Sequence, residues 1–154
     1  MFINEKDLQN YRNGIVQWCK DFEPDYFVTL TFAYSTVTEN FAHKSLDNYL
    51  RMVSRQVYRK RSKDKLQRLV FKEKNYSDGI HYHLLVKQPE TKSPEELKQI
   101  MKEKWIKTHG HGYAGFKNDE WFKPVGNLEE LAGYVTKTIK PNNDDFLVSD
   151  LIFL

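Results

Sequence analysis

Two histidines one residue apart, His81 and His83, lie in the run Ile80-His81-Tyr82-His83-Leu84-Leu85-Val86. The run is rich in apolar and β-branched residues, has no breaker, and predicts a strand. Side chains alternate faces along a strand, so both imidazoles project from one face while Tyr82, Leu84 and Val86 point to the other. Two imidazoles held a few ångströms apart on a rigid strand are a metal-ligand arrangement. A third ligand is expected from the adjacent strand. Residues 67–74, QRLVFKEK, read as that strand, and Asn75-Tyr76-Ser77-Asp78-Gly79 as a turn with Asp-Gly as its signal, so 67–87 is a hairpin. Phe71, Glu73 and Asn75 then share a face, and Glu73 is the nearest carboxylate. A set of His81, His83 and Glu73 leaves coordination positions open for a substrate oxygen. It favours a divalent ion (Mn²⁺, Mg²⁺, Co²⁺ or Zn²⁺) used as a Lewis acid. The H-x-H spacing alone is a weak signal, and a pair of hydrogen-bonded strand histidines is the competing reading. A second such triplet, His109 and His111, lies among Gly110, Gly112 and Gly115 and reads as loop, with no strand to fix its rings.

A second group of residues suits a phosphodiester. Asn127 is a plausible N-cap for a helix over 128–140, and Pro141 stops it. On it Tyr134 and Lys137 stand at i and i+3 and share a face, and Lys140 follows a turn later. Leu128, Leu131, Val135 and Ile139 form an apolar stripe that partly leaves Tyr134 free of the core. A tyrosine can attack a phosphodiester, and a lysine complements the phosphate charge. With nine tyrosines in the chain, an ordinary half-buried helical tyrosine is the competing reading. The chain has no G-x-x-x-x-G-K-[ST], hence no P-loop and no nucleotide cofactor is expected. It has no G-x-S-x-G, and Cys19 has no patterned histidine partner.

The elements that must position these residues follow from periodicity. Residues 5–20 predict an opening helix with Leu8, Tyr11, Ile15 and Trp18 at helical spacing, ended by Pro24. Phe27–Phe32, FVTLTF, predicts a strand. Residues 44–60 predict a helix whose Leu46, Tyr49, Leu50, Val53 and Val57 fall on one face and Arg51, Arg55 and Arg59 on another. Pro94 can start a helix over 94–108 with Ile100, Met101 and Trp105 inward. The Gly-rich stretch 109–115 leads to a strand ending near Pro124. The order αβαββαβα predicts an α+β fold, with an antiparallel central sheet, helices packed on one face and the metal and tyrosine site on the other. The apolar ending, Phe146–Val148 and Leu151–Leu154, suits a last strand, an oligomer contact or the start of another domain.

The 154 residues suit one domain, 1–154, and 40% apolar with 29% charged residues excludes a disordered chain. No apolar run is long enough to span a bilayer, and MFINEKDLQN lacks the pattern of a secretory signal. The single cysteine excludes a disulfide scaffold and makes a reducing compartment the expectation. Net charge is only +3, but it is polarised: residues 44–74 carry eleven Lys/Arg and three Asp/Glu, a net +8 against −5 for the remainder. A polarised charge of this kind suits an anionic polymer, and a solvated helix face is the plainer reading.

FVTLTF, then GIHYHLLV, then GYVTK resembles the three-motif signature of the HUH endonucleases, and is most similar to the rolling-circle replication initiator (Rep) proteins of plasmids and phages. The resemblance covers residues 27–140. Trp105, the Gly-rich stretch after it and Phe122-Lys123-Pro124-Val125 also resemble such initiators. The resemblance implies a metal pair at His81 and His83, an acidic ligand at Glu73, a nucleophile at Tyr134 and a phosphate- or metal-positioning Lys137, with Mn²⁺ or Mg²⁺ as the ion. Tyr82 departs from the usual aliphatic middle residue of the histidine motif. Thr138 at the i+4 position puts the chain with the one-tyrosine kind. The implied activity is nicking and rejoining of single-stranded DNA at a replication origin or hairpin through a 5′-phosphotyrosine link. Backbone contacts would come from Arg51, Arg55, Arg59, Lys60, Arg61 and Lys140. Host helicase and polymerase are the implied partners, with no membrane. The implied location is the cytoplasm of a bacterial host cell, or the nucleus if the source is a eukaryotic virus. Two related readings share the chemistry: a single-domain HUH transposase, or a relaxase. From other classes come a non-catalytic DNA-binding module or repressor, and an RNA-binding α+β domain that stacks bases on exposed sheet aromatics.

Overall fold

The computed structural model describes residues 4–34, 36–59, 61–75, 79–109, 116, 118–136 and 151–152. Helix α1 (Glu5–Phe22) starts where the Asn4 side chain accepts a hydrogen bond from the Asp7 amide at 2.8 Å, and it stops at Glu23, left-handed at φ 54° just before Pro24. Strand β1 (Tyr26–Thr31) follows, then helix α2 (Glu39–Tyr58), capped by Thr38. Strands β2 (Arg68–Asn75) and β3 (Gly79–Val86) form the expected hairpin. Its return strand starts at Gly79 with φ 76°, a value that glycine adopts without steric cost.

Helix α3 (Pro94–His109) opens on a capping box, in which the Glu96 amide donates to Ser93 Oγ while the Ser93 amide donates to Glu96 Oε1, each at 3.1 Å. A 3₁₀ turn over Asp119–Trp121 leads into the short strand β4 (Phe122–Pro124). Helix α4 (Leu128–Thr136) is capped by Asn127, whose Oδ1 accepts from the Glu130 amide at 3.1 Å. The part of the expected last helix beyond 136 lies outside the described residues. Leu151 and Ile152 form β5 and pair with Phe71 and Val70, so part of the apolar ending is a strand.

The sheet runs β4-β1-β3-β2-β5, antiparallel throughout. This is the expected α+β architecture. The central hairpin strand β3 carries the histidines between β1 and β2. One face consists of Val28, Leu30, Val70, Ile80, Tyr82, Leu84 and Val86 and packs against α2 (Leu46, Tyr49, Leu50, Val53) and α3 (Leu97, Ile100, Met101, Trp105), all buried. Two buried polar groups lock this layer: Tyr49 Oη donates to Met101 O at 3.1 Å, and Trp105 Nε1 donates to Thr31 O at 2.9 Å.

The helices are not gathered on one face, as the sequence reading expects. Helix α1 packs on the opposite face, its Leu8, Ile15 and Cys19 meeting Leu69, Phe71 and Leu85, and α4 joins it through Leu128 and Leu131. The physical reason is in the strands. Leu69, Phe71 and Leu85 share the histidine face, and an apolar patch there must be covered. Among the described residues no helix is long and apolar enough to cross a membrane.

Candidate active site

The register places the site residues. Across β2 and β3, Glu73 is opposite His81 and Phe71 opposite His83; across β1 and β3, Thr31 is opposite His81 and Thr29 opposite His83. His81, His83, Glu73, Thr29 and Thr31 therefore occupy one patch of one face, as the alternation of side chains requires. The contact that forms is diagonal. Glu73 Oε2 lies 2.7 Å from His83 Nε2, not against His81 directly opposite. Diagonal cross-strand neighbours lie within reach of a long side chain, and glutamate has that length.

His83 is held on three sides. Its residue is only 5% exposed, its Nδ1 is 3.2 Å from Thr29 Oγ1, and its ring stacks on Phe27 with centroids 5.2 Å apart and planes 13° from parallel. These contacts fix the ring plane and both nitrogens. With Nε2–H donating to Glu73, Nδ1 accepts from the Thr29 hydroxyl. With Nε2 ligated, Nδ1 carries the proton and donates to Thr29 Oγ1 instead. His81 is different. It is half-buried, and its Nε2 is shielded from solvent without a hydrogen-bond partner among the described residues. A buried imidazole nitrogen normally finds a partner, so this atom is where an external ligand is expected.

Among the described residues, no group of three His, Cys, Asp or Glu side chains lies close enough to hold a metal ion as it stands. The residues present nevertheless fit a divalent ion in their chemistry. His83 Nε2 and Glu73 Oε2 are already in contact, and His81 offers an unsatisfied nitrogen on the same face. Two nitrogens and a carboxylate suit Mn²⁺ and related ions.

Tyr134 stands on α4, and α4 packs through Leu128 and Leu131 on the α1 cluster that covers this same face. The helix bearing the candidate nucleophile and the strands bearing the candidate ligands thus belong to one side of the sheet. Lys137 and Lys140 lie outside the described residues, as do Lys60 and His111; His109 closes α3.

The arginine stripe is elsewhere. Arg51, Arg55, Arg59 and Arg61 are exposed, and α2, which carries the first two, packs on the face away from the histidines. Arg51 is ion-paired with Asp47, which holds the Asp47 carboxyl below its ordinary range. Two further cations of the basic segment are engaged by Glu39: Lys72 Nζ at 3.5 Å and Lys74 Nζ at 3.3 Å from its Oε1. Lys72 leads in lowering the Glu39 carboxyl, because its ammonium is largely buried beside it.

Sequence reasoning missed Thr29, Phe27 and a groove beside them. The groove, about 600 Å³, is bounded by the odd-numbered side chains of β1, the stretch 118–127 that includes β4, and Glu130 and Leu131 of α4. The T-L-T alternation in FVTLTF was the available signal, since it puts two hydroxyls on one face. What it lacked was the strand order, which makes β1 the neighbour of β3.

With this geometry in view, the comparisons with known proteins are informative. The family model described as replication-associated protein ORF2 matches residues 25–143. The chain belongs to that family, which ties it to DNA replication. No curated protein and no solved structure gives a significant match. The matched span starts beside β1 and takes in the histidine strand and α4, so all three elements of the patch fall within it.

Proposed function

We propose, from membership of this replication-associated protein family, that the chain is an initiator nuclease of the HUH kind. It nicks and rejoins single-stranded DNA to start rolling-circle replication. The observation that carries the reading is the Glu73–His83 contact with the unsatisfied His81 Nε2 beside it, on the face that α4 shares.

Glu73, His81 and His83 would hold a divalent ion, Mn²⁺ or Mg²⁺, which when bound supplies positive charge to a non-bridging oxygen of the scissile phosphate. The chain's own residues do the rest. Thr29 and Phe27 keep the His83 ring in the plane its role requires. Tyr134 Oη, losing its proton, forms a bond to phosphorus. The bond from phosphorus to the 3′ oxygen breaks, and that oxygen leaves as a hydroxyl once protonated. The product is a 5′-phosphotyrosine link and a free 3′-OH. Lys137 offsets charge at the phosphate. The link retains the phosphodiester character of the strand, so a later 3′-OH reverses it without ATP. Arg51, Arg55, Arg59, Lys60, Arg61 and Lys140 would contact DNA backbone. Because α2 lies on the far face, its arginines would engage DNA distant from the nick. Host helicase and polymerase would then use the 3′-OH.

The test is a denaturing gel of the protein with labelled single strands carrying candidate origin sequences and Mn²⁺. Wild type is expected to give a slow band that survives SDS and needs metal. Tyr134→Phe and His81→Ala are expected to give none. An adduct in Tyr134→Phe would overturn the nucleophile. Salt-sensitive binding with no adduct on any strand would favour a DNA-binding module in its place.

A further inference from the structure

The groove beside β1 has a chemistry that the nicking step does not use. It is continuous with the candidate site: Thr29 lines it and also touches His83, and Thr31, which lines it too, is opposite His81. Its volume of about 600 Å³ falls within the range of small-ligand pockets, roughly 300–1,000 Å³.

Its polar lining is unsuited to phosphate. Glu120 and Glu130 both line it, and its lysine, Lys123, is ion-paired with Glu120. Two carboxylates against one neutralised ammonium repel an anion. Asn118 and Asn127 have their side-chain oxygens taken, accepting from the Glu120 amide at 3.0 Å and the Glu130 amide at 3.1 Å. The group each amide has to offer a ligand is its NH₂. Carboxylates and amide NH₂ groups beside two threonine hydroxyls are the groups that read the edge of an unpaired base.

We infer that this groove receives one unpaired nucleobase next to the scissile phosphate and selects bases that carry an exocyclic amino group over thymine. The inference rests on the nuclease reading for its position. The selection rests on chemistry: Glu130 and Glu120 accept hydrogen bonds and donate none, so they match the amino groups of cytosine, adenine or guanine and leave thymine O4 facing a carboxylate oxygen. Phosphates are kept to the His81–His83 side, and the base is drawn to the other.

The experiment is a binding selection from a single-stranded library with a randomised core of about 12 nucleotides, run with the full chain in Mn²⁺ and without denaturant. Bound strands are sequenced, and a parallel sample is scored for SDS-resistant adduct. Wild type is expected to disfavour thymine at one position by roughly tenfold, the value of one good base contact. Glu130→Gln, at an exposed position that the fold does not depend on, is expected to flatten that preference to within about twofold and leave the salt dependence of binding unchanged. Glu120→Gln serves as a second variant. Unchanged preference in both variants, with adduct still forming, overturns the groove and leaves the nuclease reading standing. A preference that the variants flatten, with no adduct on any strand, upholds the groove and overturns the nuclease reading. A salt dependence that steepens in both variants would mean that phosphates enter the groove, and would overturn the base assignment.

Discussion

The two faces of the sheet are made from the same strands and have opposite characters. Towards α2 and α3, successive even-numbered residues of β1 and β3 are apolar or aromatic and, Tyr26 apart, buried; Lys72 at the rim is the charged exception. Towards α1 and α4, the face is divided along its length. Leu69, Phe71 and Leu85 lie under α1, while Thr29, Thr31, Glu73, His81 and His83 form a polar patch beyond it. One face supplies cohesion. The other gives only part of its area to packing and presents the rest to a ligand. A strand can serve both ends because its side-chain period is two: Leu84 and His83 are neighbours in sequence, yet they answer to different helices.

The sharpest way to break this comparison is to change those two neighbours separately. Leu84→Ala removes a fully buried side chain and is expected to cost about 2–5 kcal/mol of stability in a denaturant titration. His83→Ala is expected to reduce nicking by about 10²–10³-fold while shifting the melting temperature by no more than about 4 °C. If His83→Ala unfolds the protein as Leu84→Ala does, the polar patch is structural and the division of labour fails.

Next in size is the thiol under α1. Burial raises the Cys19 pKa to about 11 from its ordinary 9.0. At pH 8 its reaction with a disulfide reagent is expected to be at least about 100-fold slower than that of a free thiol, since only the thiolate reacts. A rate near that of a free thiol would mean that α1 does not stay on the sheet.

Thr29→Val keeps the shape of the side chain and removes the hydroxyl that touches His83 Nδ1. It is expected to weaken Mn²⁺ binding, read by calorimetry, by about 10–100-fold, with stability nearly unchanged. Equal affinity in the variant would show that Phe27 stacking alone orients the ring.

The smallest effect belongs to the rim of the apolar face. Lys72, then Lys74, hold the Glu39 carboxyl below its ordinary value of 4.5. A depressed carboxyl contributes stability that is present above the unfolded value and is lost as pH falls through the folded one. Melting temperature is therefore expected to fall on acidification below about pH 4.5, and Glu39→Gln to flatten part of that slope. Because Glu39 is more than half exposed, solvent screening keeps the ion-pair contribution under about 1 kcal/mol.

The elements were legible where period and punctuation agreed. The helix starting at Pro94, the hairpin around Gly79 and the apolar stripe of Leu46, Tyr49, Leu50, Val53 and Val57 follow from local rules, and each is formed. So was the pairing of Glu73 with the histidines, since a tight hairpin sets its own register. The division of the helices was not legible. The α1 stripe states that α1 packs, and nothing in it states on which side. Likewise the arginines at i, i+4, i+8 announce a charged face, while its remoteness from the histidines follows from α2 packing on the opposite layer.

By itself the amino-acid sequence determined the element order, the hairpin register and the presence of two imidazoles and a carboxylate on one sheet face. These depend on contacts between residues near in the chain, whose geometry is set by periods of two and 3.6. Only the tertiary structure decided that β1 lies beside β3, bringing Thr29 and Phe27 against His83 and opening a groove at their flank. Those contacts join residues more than fifty positions apart. No local period encodes them, because what selects them is the burial of whole apolar faces against one another.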